Sequence, residues 1–319
     1  MREDDLLQKL QQFWGITPEI IVPNGDDTLV LKHDSDKLLL LTVDTGLENV
    51  HFTTKILSFR EIGYRICAGA LSDIAAMGGI PLTILVDLEV PPYLNENNII
   101  SIYQGIKELQ ENYHFSIGGG NIVKGSRLRL TITVLGEVEK DYYLTRSGVK
   151  NGDYIYVTGD LGRTLMFLDS IYGLLEIDKE VLKILREKFA YPEPRINLMK
   201  ELKQKYRINA AIDISDGLGL DLSRMAKMSG MDIFIEGESI PLHPEVKKLD
   251  FEKKLLLLKA IQSGEEYEVA FSSPDDISHP LVTKIGHAAD GTGRIIMRLE
   301  GEDKEISQMG YDHLEELNK

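Results

Sequence analysis

The sequence has few of the features that mark secreted and membrane proteins. Its 319 residues include a single cysteine, Cys67, which excludes an internal disulfide framework. No apolar run approaches the roughly 20 residues that cross a bilayer, and residues 1–5 lack the basic and apolar regions of a signal peptide. These absences favour a cytoplasmic protein that does not use the membrane.

Basic residues are also outnumbered. The chain carries 36 Lys and Arg against 51 Asp and Glu, a formal net charge of −15. Nucleic acids and anionic membranes demand basic patches, so the balance argues against both as main partners. An acidic protein that handles an anionic substrate needs cations between the two, which favours a bound metal ion.

The common nucleotide and zinc signatures are missing too. No G-x-x-x-x-G-K-[ST] sequence is present, which excludes a P-loop protein, and the protein-kinase catalytic-loop and D-F-G motifs are absent. No set of Cys and His residues has the spacing of a zinc site. Any nucleotide chemistry must therefore use a different site.

What is present is an alternation of strand-like and helix-like segments, which predicts an α/β fold with mixed sheets. A polar, turn-like stretch at 139–152 predicts a boundary between two domains, 1–140 and 141–319. The sequence SIGGGN at residues 116–121 predicts a glycine-rich turn. This turn is either a plain loop or a loop whose backbone approaches a phosphate. The strands are expected at 37–45, 81–92, 128–138, 232–236 and 266–272, a strand followed by a turn at 153–162, and helices at 58–79, 96–113 and 251–261.

Carboxylates recur where these segments end. Each of these carboxylates also has an ordinary structural explanation, in which it binds no ligand: a turn, a strand end, a solvated helix position or, for Asp216 before Gly217, a helix N-cap. Several carboxylates that converge at strand ends would repel one another unless cations joined them, and Mg²⁺ is the natural ion. Thr42 and Ser215 lie two residues from an acid and would share its face of a strand. The acids are Asp26, Asp27, Asp44, Asp73, Asp213 and Asp216.

Nine motifs in order resemble the thiamine-monophosphate kinase family, within the superfamily of aminoimidazole ribonucleotide synthetase. They cover the chain from about residue 20 to 313, and each is weak alone. They are NGDDTLV, LTVDTGLENVHF, LSDIAAMGGIP, GGGNIVKG, LTRSGVKNGDYIYVTG, PEPR, AIDISDGLGLDL, SGEEYEVAF and GYDH.

The resemblance implies ATP-dependent phosphorylation of thiamine monophosphate to thiamine diphosphate. It also implies a homodimer whose N-terminal domains share a β-barrel, with the active site in a cleft between domains. It assigns no single catalytic base. Carried over by motif, several Mg²⁺ ions would be held by Asp27, Thr42, Asp44, Asp73, Asn121, Asp213 and Asp216; ATP by Gly120, Asn121, Arg146 and Ser215; and the thiamine phosphate by His51, Glu265 and Tyr311.

One position departs from the family pattern. Asn121 stands where the family has an aspartate, and an amide oxygen can bind Mg²⁺ but adds no net charge. The departure predicts weaker metal binding, unless Asn121 only caps the glycine turn. Two other readings stay open: a non-catalytic module that binds Mg-nucleotide, and another ATP-dependent enzyme of the superfamily with a different phosphorylated substrate.

Overall fold

The computed structural model describes residues 17–22, 26–34 and 36–312, and its first sheet has six strands. They are β1 (Ile20–Val22), β2 (Leu29–Lys32), β3 (Lys37–Leu47), β4 (Ile80–Val90), β5 (Ser116–Lys124) and β6 (Arg129–Glu139). The strand order is β1-β2-β3-β6-β4-β5, and only the β4–β5 pair is parallel.

Two helices, α1 (Phe59–Ala76) and α2 (Glu96–Tyr113), cover one face of this sheet and pack against each other. Both begin with a capping box, which satisfies the first free N–H groups of each helix. Along β3, Leu38 and Leu40 point into the core, whereas Val43 is 59% exposed. The other face of the sheet therefore carries uncovered apolar side chains.

The second sheet has seven strands, in the order β13-β12-β9-β11-β7-β10-β8, and only the β9–β12 pair is parallel. Its strands are β7 (Tyr154–Thr158), β8 (Ala210–Asp213), β9 (Met231–Glu236), β10 (Val269–Ser273), β11 (Val282–Asp290), β12 (Ile295–Leu299) and β13 (Glu302–Glu305). Among the described residues, five α-helices accompany them: α3 (Arg163–Ile171), α4 (Lys179–Ala190), α5 (Ile196–Lys205), α6 (Leu218–Ser229) and α7 (Lys253–Gln262).

Helix α1 joins the two halves. It packs on β3 and β6 of the first sheet, and also on β8, α4 and α5 of the second half. Apolar residues such as Leu71 and Ile74 are fully buried along it. Side chains on α1 are therefore placed to meet groups from both sheets.

Most of the elements expected from the sequence are confirmed, and one is wrong. The predicted helices at 58–79, 96–113 and 251–261 are α1, α2 and α7. The predicted turn at 116–121 is instead part of strand β5. Its glycines permit a close approach to β4, since a Cβ on Gly120 would lie 1.9 Å from the Val86 carbonyl oxygen. Among the described residues, no helix is long and apolar enough to cross a membrane.

Candidate active site

Three aspartates from distant parts of the chain converge between the two sheets. Asp27 precedes β2, Asp73 lies on α1, and Asp213 ends β8. One carboxylate oxygen from each lies within 4.8 Å of the corresponding oxygens of the other two. Asp27 and Asp213 are nearly fully buried, and Asp73 is half-buried. We call these three residues the aspartate cluster.

Hydroxyl groups and one cation surround the aspartate cluster. The Thr42 hydroxyl donates to Asp73 Oδ2 at 2.5 Å, and the Ser72 hydroxyl donates to Asp213 Oδ2. Arg146 donates through Nη2 to Asp27 Oδ1 at 2.6 Å. The side chains that hold the cluster are thus supplied by β3, α1 and the segment before β7.

The cluster has more negative charge than its surroundings neutralise. Burial, and then the neighbouring aspartates, raise the pKa of Asp73 and of Asp213 well above the ordinary value. The Oδ2 atom of Asp27 is buried without a hydrogen-bond partner among the described residues. Carboxylate oxygens are the ligands that Mg²⁺ prefers, so the donor set and the unpartnered oxygen fit a bound divalent cation.

A small cavity of about 220 Å³ adjoins this region and contains further residues of the predicted site. Burial, then the charges of Asp216 and Glu265, raise the pKa of Asp44 in its wall to about 6. The backbone N–H of Leu47 donates to Nδ1 of His51 at 3.1 Å, which orients the imidazole ring. The lining comprises Asp44, Thr45, Gly46, His51, Ile66, Ser215, Asp216, Glu265 and Tyr267.

The loop between β8 and α6 rules out the alternative interpretation that Asp216 caps the helix. The N-cap residue is Gly217, and no side chain makes a cap hydrogen bond. Instead, Asp221 folds back, and its Oδ2 accepts the backbone N–H groups of residues 215–217 at 3.0–3.1 Å. Asp216 is left to pair with Arg224 at 2.5 Å and to line the cavity. Asp221 therefore shapes the loop, while Asp213 and Asp216 face the site.

We expect Asp221→Ala to destabilise the folded protein by about 2–3 kcal/mol, because three N–H groups lose their acceptor. Turnover should fall as well, since the loop carries Ser215 and Asp216. Asp221→Asn keeps one acceptor oxygen and should cost less. Urea unfolding measures the free energies; a cost of Asp221→Ala no larger than that of Asp221→Asn would contradict this role.

A larger cavity of about 970 Å³ shares His51 and Glu265 with the small one. Phe167, Leu182 and Phe189 contribute apolar surface to its wall, and its cationic side chains are Lys55, Lys179, Lys183 and Arg186. The third residue assigned to the substrate, Tyr311, lies beside the loop after β8, where its backbone N–H donates to the Asp216 carbonyl at 2.8 Å. His313, the end of the GYDH motif, falls outside the described residues.

Gly120 and Asn121 lie away from the aspartate cluster within one chain. Strand register aligns Asp44 with Gly120 across four strands, a span of about 14 Å at the usual strand spacing. Asn121, one residue further on, points to the opposite face of the sheet. There its amide Nδ2 donates to Asp87 Oδ1 at 3.4 Å.

Two residues at the site went unassigned in the sequence. Asp221 follows the apolar strand closely, but its role depends on a loop that folds back. Arg65 lies within the helical pattern of α1, where nothing distinguishes it from a solvated arginine, yet its side chain is fully buried. Only the packing around it reveals that it contacts Glu265, at 2.8 Å.

Both the sequence and the fold of this chain are similar to those of known proteins. Residues 25–138 match the family described as AIR synthase related protein, N-terminal domain. The chain is 32% identical to thiamine-monophosphate kinase of Bacillus subtilis, over 94% of this chain and 97% of that protein. It is 33% identical to thiamine-monophosphate kinase of Aquifex aeolicus, over 91% of this chain and 92% of that protein.

A solved structure shows the same architecture. The structure of AaThiL complexed with AMPPCP and TMP superimposes with a TM-score of 0.83 and 31% sequence identity. The match covers 97% of this chain and 95% of that one. The similarity therefore extends over both sheets.

Proposed function

The chain belongs to the thiamine-monophosphate kinase family, and we propose that it transfers the γ-phosphoryl group of ATP to thiamine monophosphate, giving thiamine diphosphate and ADP. The observation that supports this most is the aspartate cluster, which lies close to two cavities with predicted substrate residues in their walls. A site with several unneutralised carboxylates suits chemistry in which cations bring phosphate groups together.

We assign residue roles from the geometry and the family motifs together. Magnesium ions held at the aspartate cluster would supply the positive charge that neutralises the phosphate oxygens during transfer. The metal ligands would come from Asp27, Thr42, Asp44, Asp73, Asn121, Asp213 and Asp216, the ATP contacts from Gly120, Asn121, Arg146 and Ser215, and the substrate contacts from His51, Glu265 and Tyr311.

Transfer is direct in this proposal, with no phosphorylated enzyme. The acceptor is itself a phosphate and is already anionic, so it needs little help from a general base. Arg146, held at Asp27, places a guanidinium group where phosphate oxygens would meet it. The chain's own contribution is to position the two reactants and to exclude water.

An assay of ADP release with ATP, Mg²⁺ and thiamine monophosphate tests the activity. Thiamine and aminoimidazole-pathway intermediates serve as alternative acceptors. Release of ADP with thiamine monophosphate, and not with thiamine, supports the proposal. Release only with another phosphorylated acceptor would favour a different enzyme of the superfamily, and binding of Mg-ATP without release would favour a non-catalytic module.

We also propose that the chain is divided into domains 1–140 and 141–319 and forms a homodimer through the first sheet. The face of this sheet away from α1 and α2 exposes apolar side chains, including Val43, Leu85 and Val123 at 39–59% exposure. A second copy packed face to face would cover them and could complete a barrel. Sedimentation should then give twice the chain mass of 35.9 kDa; a monomer at assay concentration would contradict the dimer.

The proposed metal role of Asn121 depends on that dimer, because within one chain the residue points away from Asp44. We expect Asn121→Asp to lower the Mg²⁺ concentration at half-maximal activity by roughly 10–100-fold, from about 1–3 kcal/mol of added metal affinity. Titrating activity against free Mg²⁺ measures the effect. Equal midpoints for the two proteins would mean that residue 121 does not bind the metal. The aspartate would then only repel Asp87 on the sheet.

A further inference from the structure

Arg65 is a fully buried cation beside the substrate cavities. It extends from α1, and its guanidinium lies 3.9 Å from the ring centroid of Phe189, over the ring face. Nη1 donates to the Phe189 carbonyl, and Nη2 donates to Glu265 Oε2 at 2.8 Å. Its Nε has no partner among the described residues. A buried arginine is costly unless it is paired, so the Glu265 contact is the main electrostatic compensation for its burial.

Both carboxylate oxygens of Glu265 are held. Oε2 accepts from Arg65, and Oε1 accepts from the Tyr267 hydroxyl at 3.3 Å. The side chain of Glu265 is 24% exposed and lines both cavities. The carboxylate therefore has a fixed direction and still has lone pairs available toward the cavities.

The backbone here is strained in a way that serves the same placement. Glu265 and Tyr267 have φ values of +52° and +53°, in the left-handed region that non-glycine residues rarely adopt. Strain of this kind persists where the surrounding structure determines it, and it clusters at functional sites. The loop thus orients Glu265 and Tyr267 toward the cavity at an energetic cost.

The loop does not need Arg65 in order to stay in place. The N–H groups of Glu265 and Tyr267 donate to the carbonyls of Ser215 and Ile214. Glu266 accepts two N–H groups from the start of α3, and the buried Glu268 pairs with cations on either side. What Arg65 adds to these anchors is the direction and charge balance of the Glu265 carboxylate.

We propose that Arg65 is a positioning residue for the acceptor substrate: from α1, it orients Glu265 to receive the hydrogen-bond donors or the cationic ring of the substrate. This rests on the proposed function, in which thiamine monophosphate binds at His51 and Glu265. Arg65 itself does not line either cavity. It acts through Glu265 and leaves the ATP side of the site untouched.

Arg65→Lys tests the proposal, because lysine keeps the charge but cannot serve both Phe189 and Glu265 as the planar guanidinium does. We expect the KM for thiamine monophosphate, and its Kd by calorimetry, to rise about tenfold. The KM for ATP should change by less than about twofold. In a Glu265→Gln background the same change at Arg65 should have a much smaller effect, since the two residues act as one unit.

Arg195→Lys is the matched control. Arg195 is also a buried arginine paired with a glutamate, Glu268, but that pair lines neither cavity. The Arg195→Lys substitution should lower the melting temperature without changing the KM for thiamine monophosphate. If Arg65→Lys raises the KM for ATP as much as the KM for thiamine monophosphate, or raises neither, Arg65 does not have the proposed role. The proposed function would still stand in that case, provided that the wild-type protein is active. A wild-type protein that neither binds nor phosphorylates thiamine monophosphate overturns both.

Discussion

Replacing Asp73 by asparagine is expected to lower kcat by about a thousandfold and to leave the folded protein as stable as before, or more stable. Asp73 contributes one of three carboxylate oxygens that lie within 4.8 Å of one another. In the protein without metal these charges repel, so a neutral amide relieves the repulsion. In the working enzyme the same change removes a negative charge that helps to hold the metal ions, and the metal ions in turn hold the phosphates.

The opposite signs of the two effects make this prediction specific. Kinetics under saturating Mg-ATP and thiamine monophosphate give kcat, and thermal unfolding without metal gives stability. Asp303→Asn is the control, because Asp303 lies on the edge strand β13 and, within the described part of the chain, its carboxylate pairs with Arg298 at the surface. Normal turnover by the Asp73→Asn protein would mean that the aspartate cluster has a structural role alone.

Glu268→Gln is expected to destabilise the protein by roughly 3–5 kcal/mol, the largest effect on folding that we predict. Glu268 is fully buried, with Lys188 and Arg195 against its two oxygens and the Thr158 hydroxyl at 2.6 Å. Burial alone would raise the pKa of Glu268, but the two cations outweigh it and lower the pKa to about 2. The amide would take the carboxylate away from the buried Lys188 and would leave Arg195 paired with the exposed Glu193.

The stabilisation that Glu268 provides depends on pH. The pKa of Glu268 is lower in the folded state than the ordinary 4.5. Its contribution to the free energy of unfolding is therefore full above about pH 4.5 and is lost as the pH falls toward 2. The difference in unfolding free energy between wild type and Glu268→Gln should narrow over that range. Glu201→Gln removes an exposed pair with Lys205 that water screens, so it should lower the free energy of unfolding far less than Glu268→Gln does. Equal losses for the two variants would contradict the account of Glu268.

Local signals in the sequence predict those parts of the fold whose cause is local. Helices α1 and α2 were predicted within three residues at each end, because their caps and apolar spacing are written in the adjacent sequence. Strand β5 was missed because three glycines indicate a turn by local rules. Its extended form depends on pairing with β4, more than 30 residues earlier.

The same distinction holds at the site. The sequence identified carboxylates at strand and helix ends, and the structure brings Asp27, Asp73 and Asp213 together. The local capping rule chose Asp216, whereas Asp221 accepts the loop N–H groups because the chain turns back after Gly217. Arg65 could not be found, since its burial is created by packing against Phe189 and Glu265, which are distant in sequence.

A single-turnover reaction with ATP labelled at the γ-phosphate distinguishes direct transfer from transfer through a phosphorylated enzyme. Enzyme in excess over labelled ATP, with Mg²⁺ and thiamine monophosphate, is quenched over milliseconds to seconds. Label should pass from ATP into thiamine diphosphate at the rate of ADP formation, with none on the protein at any time. Label that first accumulates on the protein and then moves to thiamine diphosphate, or that appears only as free phosphate, would contradict direct transfer.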